Sequence, residues 1–393
     1  MTARTRIVLA VGSVVAVALV AVAAITATTA RPMSGPESGG STALARTEKM
    51  DPEQTLAEAA DAFLATWVTG GRVVRRDQGD DTVSEGQAYG LLIALAADDK
   101  DAFDDLWSWT RENLVRPDGL LAWQWADGAI VDAEPASDAD VDMARALVLA
   151  GSRWADASYT EAGVALATVV ADTMTVQTQL GRILVPGLWA AAADPYQYNP
   201  SYASPSAFAL LGEATGDPRW GELAAGTTAV TRRLLEGSAL PPDWAQVHGD
   251  GTVEPMPGAA GAGASVRYGY DAARLAVRYA ESCEPGDTAL AAKLAKPLDR
   301  SDPLPAELDL GGSALGPAVH PLGYVARAAA RVSGGDNLGA VDDLARARTA
   351  ALAAPTYYGA AWALLGAAML TSDVYGGCPP LADGAVSPDG QPS

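Results

Sequence analysis

From about residue 52 to residue 371, apolar positions recur at three- and four-residue intervals in alanine- and leucine-rich segments, the spacing of one helix face. The pattern predicts helices over 52–69, 84–98, 100–115, 138–153, 157–176, 203–214, 217–237, 268–282, 285–298, 315–333, 336–352 and 357–371. Several boundaries carry their own punctuation: Asp51-Pro at the first, Gly216-Asp-Pro before the seventh, Glu284-Pro-Gly before the ninth and Ala354-Pro before the last. Twelve such helices pair into six hairpins, the number an (α/α)6 barrel needs, so the expected class is all-α. Beyond short pieces such as Gly181-Arg-Ile-Leu-Val185, little reads as strand. Three long connections, 116–136, 177–202 and 238–267, hold Trp123, Trp125, Trp189, Tyr196, Tyr198, Tyr202 and Trp244. Long ordered loops in a compact domain are usually functional. These aromatics are therefore expected to meet a ligand, unlike Trp154, Trp220 and Trp362 within helices.

The two ends of the chain break the helical pattern. Arg4 and Arg6 precede an apolar run from Ile7 to about Ile25, and Ala-Thr-Thr-Ala30 offers small residues for cleavage, so residues 1–30 read as an export signal. The run also approaches the length that spans a bilayer, so an uncleaved anchor with the rest of the chain outside fits too. Residues 31–50 read as a flexible linker, 51–378 as the folded domain and 379–393 as a Pro/Gly/Ser-rich disordered tail. Export gives Cys283 and Cys378 an oxidising compartment in which they can bridge. A loop of that length would contribute ~4–5 kcal/mol by the chain-entropy argument. Two buried free thiols are the alternative.

Composition narrows the chemistry. Lys and Arg number 27 against 48 Asp and Glu, a net charge of −21, which argues against nucleic acid or anionic membrane as partner. Membrane contact is expected only through a possible N-terminal anchor. His248 and His320 are the only histidines and neither lies in a metal-ligand pattern, so no metal or cofactor is expected and a Ser-His-Asp triad is disfavoured. Ten Trp and twelve Tyr against three Phe favour aromatics with a polar handle, which suits a sugar ligand as well as core packing.

The candidate chemistry begins in Asp81-Asp-Thr-Val-Ser-Glu-Gly-Gln-Ala-Tyr-Gly90. Ser84 and Gln87 read as a capping box, which places Glu85 in a first turn beside Gly86, a residue that leaves room for a ligand. Ala136-Ser-Asp-Ala-Asp-Val-Asp142 opens the same way and puts Asp138 in the matching position. Acidic residues in first turns also complement the helix dipole without any chemistry. A calcium loop on Asp138, Asp140 and Asp142 fails, because Met143 and Leu149 stand where Gly and Glu are needed. Asp140 and Asp142 read instead as cap partners or solvent-facing charges.

Taken in order, Ser84-Glu-Gly-Gln-Ala-Tyr-Gly90, Phe103-Asp-Asp-Leu-Trp-Ser-Trp-Thr110, Leu121-Ala-Trp-Gln-Trp125, Ala136-Ser-Asp-Ala-Asp-Val-Asp142, Asn199-Pro-Ser-Tyr-Ala-Ser-Pro205 and Tyr268-Gly-Tyr-Asp-Ala-Ala-Arg274 resemble glycoside hydrolase family 8. The resemblance implies an (α/α)6 barrel that hydrolyses β-1,4 glycosidic bonds with inversion. By motif, it implies Glu85 as general acid and Asp271 as general base. It further implies Asp138 gripping the sugar at the cleavage point, Arg274 one turn after the base, Tyr202 near the catalytic water, and Trp123 or Trp125 as stacking platform. One departure is that relatives often read Tyr-Tyr-Asp where this chain has Tyr357-Tyr358-Gly359.

Inverting hydrolysis needs a protonated acid at the leaving oxygen and an ionised carboxylate behind a water, the two carboxyls roughly 6.5–9.5 Å apart. A helix N-terminus favours the anion of Glu85, whereas Asp138 and desolvation favour its acid; the latter are expected to win with substrate bound. Arg274 at i+3 can hold Asp271 charged, or the two can form a routine helix ion pair. The expectation is a secreted monomeric endo-β-1,4-glycanase, an endoglucanase by default, acting on a β-1,4-linked polysaccharide. The alternatives are a chitosanase or xylanase of the same family, a non-catalytic carbohydrate-binding barrel, or a lyase. A lyase would need basic residues that this chain hardly offers.

Overall fold

The computed structural model describes residues 52–381. The export segment, the linker and all but the first residues of the tail expected from the sequence lie outside them. Thirteen helices are present among the described residues: α1 Pro52–Trp67, α2 Ser84–Ala97, α3 Lys100–Asn113, α4 Ser137–Arg153, α5 Ala157–Thr173, α6 Pro205–Thr215, α7 Arg219–Gly237, α8 Ala272–Ala280, α9 Pro285–Lys293, the one-turn α10 Ala295–Leu298, α11 Pro321–Ser333, α12 Asn337–Ala353 and α13 Tyr357–Thr371. α9 and α10 meet at Leu294, so together they fill the place of the helix expected over 285–298.

Burial sorts the helices into two layers. In α2 every residue from Gly86 to Leu95 is buried, and all nine residues of α8 are. α3 buries only Phe103, Leu106 and Thr110, a single stripe at helical spacing, and α12 only Ala340, Asp343 and Ala347. A helix enclosed all round belongs to an inner ring and a striped one to an outer ring. Contacts close that ring: α2 packs on α4, α4 on α6, α6 on α8, α8 on α11, α11 on α13 and α13 on α2. The expected (α/α)6 barrel is what forms.

Three ion pairs cross its interior from α4 to α8: Asp138–Arg274 (3.0 Å), Asp142–Arg278 (2.6 Å) and Arg145–Glu281 (2.9 Å). Each joins residues 136 positions apart. A constant offset means that the two helices run in the same direction. Outer helices return the chain each time, so the N-termini of the inner helices gather at one end of the barrel.

The structure corrects the sequence reading in several places. Ten short strands occur among the described residues: β1 Val68–Thr69, β2 Arg72–Val73, β3 Thr82–Val83, β4 Gln124–Ala126, β5 Ala129–Asp132, β6 Thr175–Thr178, β7 Gly181–Leu184, β8 Tyr196–Tyr198, β9 Trp244–Val247 and β10 Val253–Met256. They form antiparallel sheets in the order β1-β2, β3-β4-β5, β6-β7 and β8-β9-β10. The long connections are thus hairpins, and the expected piece at 181–185 is β7. The helix expected to 176 stops at Thr173 because Thr175 enters β6, paired with Leu184. That expected from 268 starts at Ala272 because Tyr268 is bridged to Leu308 through reciprocal 2.9 Å backbone hydrogen bonds. That expected from 315 starts at Pro321, after Val319 bridges Pro305. Tyr198 is fully buried beside Ile183, Val230 and Val247, so this loop aromatic is core and not a ligand platform. Cys283 and Cys378 are bridged, with Cα atoms 5.1 Å apart.

Candidate active site

Glu85 enters the barrel mouth straight from strand β3. Val83 pairs with Gln124 and also stands at the N-cap of α2, so the chain turns into the helix without a side-chain cap. The expected capping box is absent. Ser84 Oγ is buried without a partner, while Gln87 accepts from the Val73 amide (2.6 Å) and donates to Thr110 (2.8 Å). The Ser137 cap fails likewise: Ala136 is the N-cap of α4, and Ser137 Oγ is buried without a partner. Both serines lie one residue inside their helices. Gly86 faces Tyr357 and not a ligand; a Cβ there would sit 3.2 Å from the Tyr357 hydroxyl.

Glu85 Oε2 is shielded from solvent and accepts no hydrogen bond from the described residues. Burial first, and the Asp138 charge second, favour its proton, against its own backbone amide, Arg274 and Arg75; the outcome pushes the carboxyl up to about 7. The balance expected to favour the acid once substrate is bound already leans that way without it.

Asp138, only 4% exposed, is also pushed upward by burial, which outweighs Arg274. Its Oδ2 accepts from Arg274 Nη1 at 3.0 Å. Asp271 stands at the N-cap of α8, where its Oδ1 accepts from Arg274 Nη2 (2.8 Å) and its Oδ2 from the Trp244 indole (3.1 Å). Arg274 is therefore a fork. Nη1 serves Asp138 and the Tyr89 hydroxyl (3.0 Å), and Nη2 serves Asp271 and the Ser201 hydroxyl (2.7 Å). The guanidinium lies 5.5 Å from the centroid of the Tyr202 ring, whose edge meets Trp244. A planar cation with five fixed donors suits this bracing better than a lysine would.

Glu85, Asp138, Tyr202, Asp271 and Arg274, separated by up to 189 positions in sequence, are thus gathered at one mouth. Trp123 lies beside Glu85, its carbonyl accepting from the Ser84 amide at 2.9 Å. Trp125 is engaged elsewhere, edge-on to Trp109 (5.3 Å) and under Arg72 (4.9 Å). Asp140 and Asp142 are neither caps nor solvent-facing. Both are buried: Asp142 takes a two-pronged bond from Arg278, and Asp140 Oδ1 accepts from the Leu121 amide, with burial raising its proton affinity well above normal.

The Gly359 departure has a steric cause. A Cβ there would lie 2.7 Å from Thr356 Oγ1, 3.2 Å from Pro321 and 3.3 Å from His320 Nε2. His320, held neutral by burial at a pKa of about 4, fills this corner between Tyr270 and Tyr358. Sequence reasoning missed His320, Tyr89 and Ser201 as site neighbours. It did not anticipate that Asp243 accepts from the Gly269 and Ala272 amides beside Asp271. Ser201 was visible within Asn199-Pro-Ser-Tyr and Tyr89 within Ser84-Glu-Gly-Gln-Ala-Tyr, but nothing local announces His320 or the Asp243 contacts.

Comparison with known proteins agrees with this geometry. Residues 51–296 match the family described as glycosyl hydrolases family 8. The chain is 30% identical over 339 residues to a probable endoglucanase of Novacetimonas hansenii, covering 83% of this chain and 95% of that one. It is 38% identical over 189 residues to an endoglucanase of Salmonella typhi, where the match spans 44% of this chain and about half (49%) of the relative. The solved endo-beta-1,4-glucanase of Acetobacter xylinum superposes with a TM-score of 0.68 at 26% identity, over 81% of this chain and 98% of that one. With a buried glutamate of raised proton affinity, an arginine-braced pair of aspartates and an (α/α)6 barrel around them, the chain belongs to glycosyl hydrolases family 8 and is a glycoside hydrolase.

Proposed function

We propose that the protein is a secreted inverting endo-β-1,4-glucanase in which Glu85 is the general acid and Asp271 the general base. The observation that carries this reading is the Arg274 fork, which joins Asp138 and Asp271 at the mouth where Glu85 holds a proton near neutral pH. Glu85 donates that proton to the leaving glycosidic oxygen. Asp271, held by Arg274 and the Trp244 indole, takes a proton from the attacking water, which arrives from the opposite face of the sugar ring. Asp138 grips the sugar at the cleavage point, Tyr202 borders the water, and Trp123 supplies the stacking face. Trp125 is a poorer platform because Trp109 and Arg72 already meet its ring. The apolar run that follows Arg4 and Arg6 supports export, and the endoglucanase names of the relatives support a β-glucan substrate.

The test is an activity panel on carboxymethyl cellulose, lichenan, xylan and chitosan, with ultraviolet absorbance followed in parallel. Hydrolysis of the two glucans, with no unsaturated ends, is the expected result. Preference for chitosan or xylan would move the substrate within the family. Absence of hydrolysis on all four would leave a carbohydrate-binding barrel.

A further inference from the structure

Asp243 lies in the connection between α7 and β9 and is only 7% exposed. Its Oδ1 accepts from the amides of Gly269 (2.8 Å) and Ala272 (2.9 Å), which flank Asp271 in the chain. Its own amide donates to the Arg267 carbonyl (2.8 Å), and Oδ2 takes the Arg267 guanidinium at 3.3 Å. The approach is so close that a Cβ on Gly269 would sit 2.7 Å from Asp243 Oδ2. The next residue, Trp244, donates its indole N–H to Asp271 Oδ2. One dipeptide therefore grips the base twice, by the backbone of its loop and by its side chain.

Resting on Asp271 as the base, we propose that Asp243 is a positioning residue for it: its carboxylate fixes the 269–272 backbone so that Asp271 meets Trp244 and Arg274. The groups facing Asp243 are few. Asp271 comes from the start of α8, Arg267, Tyr268 and Tyr270 from the preceding segment, and Glu307 stands behind Arg267 at 3.2 Å. Arg267 is the cation among them and is itself shared with Glu307, so the two buried-side carboxylates repel each other with partial compensation. Burial first and Asp271 second push Asp243 up to about 6.

Asp243→Asn and Asp243→Ala test this together, because the amide oxygen can still accept both backbone bonds and the alanine cannot. Asp243→Ala should lower kcat by roughly 10–100-fold while KM for cello-oligosaccharides stays within a few-fold, and Asp243→Asn should recover most of that kcat. Trp244→Phe, which removes the indole donor to Asp271, should lower kcat in the same direction. In the parent enzyme, the amide NMR signals of Gly269 and Ala272 should shift near pH 6 as Asp243 titrates. This readout stands even if a variant fails to fold. Unchanged kcat in folded Asp243→Ala, or Gly269 and Ala272 amides that do not respond near pH 6, overturns the inference and leaves Asp243 a plain loop brace. Hydrolysis retained by Asp271→Asn would instead overturn the base assignment itself, so the two failures are separable.

Discussion

A buried carboxyl that holds its proton to about pH 7 is costly to ionise, and Glu85 has that character. Its folded pKa lies above the ordinary 4.5, so the stability linked to it is fully present below that value and is lost as pH rises through 7. At ~1.4 kcal/mol per tenfold change in proton affinity, ionising Glu85 in the folded state costs ~3 kcal/mol. Glu85→Gln should therefore be more stable than the parent at pH 8 and equal to it near pH 4, measured by urea unfolding at both. A parallel pH dependence in the two proteins would contradict the burial argument. The same variant should lower turnover on polymer by roughly 10²–10⁴-fold, the usual worth of a general acid. Asp271→Asn should abolish hydrolysis and leave oligosaccharide affinity within a few-fold by calorimetry. A mere ion-pair partner of Arg274 would cost little activity and ~0.5 kcal/mol of stability. Weak activity with much weaker binding would instead make Asp271 a sugar ligand. Glu85, Asp138 and Asp271 were legible in the sequence because they sit at or beside helix starts with a recognisable order. Asp243 was not, because its partners are backbone amides 26 and 29 residues away. The serine caps misled for a related reason: Ser84 and Gln87 have cap spacing, but Gln87 is claimed by Val73 and Thr110 from other elements.

Between elements, the α4–α8 ladder explains why two inner helices can carry so many charges. Its first two rungs, Asp138–Arg274 and Asp142–Arg278, place the acid on α4, and the third, Arg145–Glu281, reverses the order; there Arg145 also donates to the Tyr375 carbonyl at 2.6 Å. Such pairs are near neutral as intact units and severe when broken, because the orphaned charge stays buried. Arg278→Met should thus cost about 3–5 kcal/mol by leaving Asp142 unpaired, and adding Asp142→Leu should recover much of it. Equal losses in the single and double variants by denaturant unfolding would rule this out. The spacings Asp138, Asp142, Arg145 and Arg274, Arg278, Glu281 are visible in the sequence, yet which charge meets which depends on two helices sharing a direction, a property of the closed ring. The short strands were hidden for another reason. They run two to four residues, too few for alternation to register.

At the scale of the whole molecule, the barrel aims its inner helix N-termini at the site, and the bridge between Cys283 and Cys378 ties the last segment to the barrel. Cys378 donates its amide to the Glu281 carbonyl (2.8 Å), so the bridge lies beside the lowest rung of the ladder and away from the carboxylates proposed to do chemistry. Replacing both cysteines by serine should lower stability by about 2–5 kcal/mol while sparing kcat of the folded enzyme. Loss of kcat with unchanged melting would contradict that division. The ring itself was legible, since twelve periodic segments, several with Pro or Gly at their boundaries, pair into six hairpins; its hairpin-laden mouth was not. The central claim is that a water activated by Asp271 attacks opposite a leaving group protonated by Glu85. Proton NMR of freshly released product tests it most directly. A β-linked glucan should yield the α-anomer first, with the β-anomer growing only by mutarotation. Initial β-anomer would mean retention, a nucleophile where a water-activating base is placed, and a different mechanism for this site.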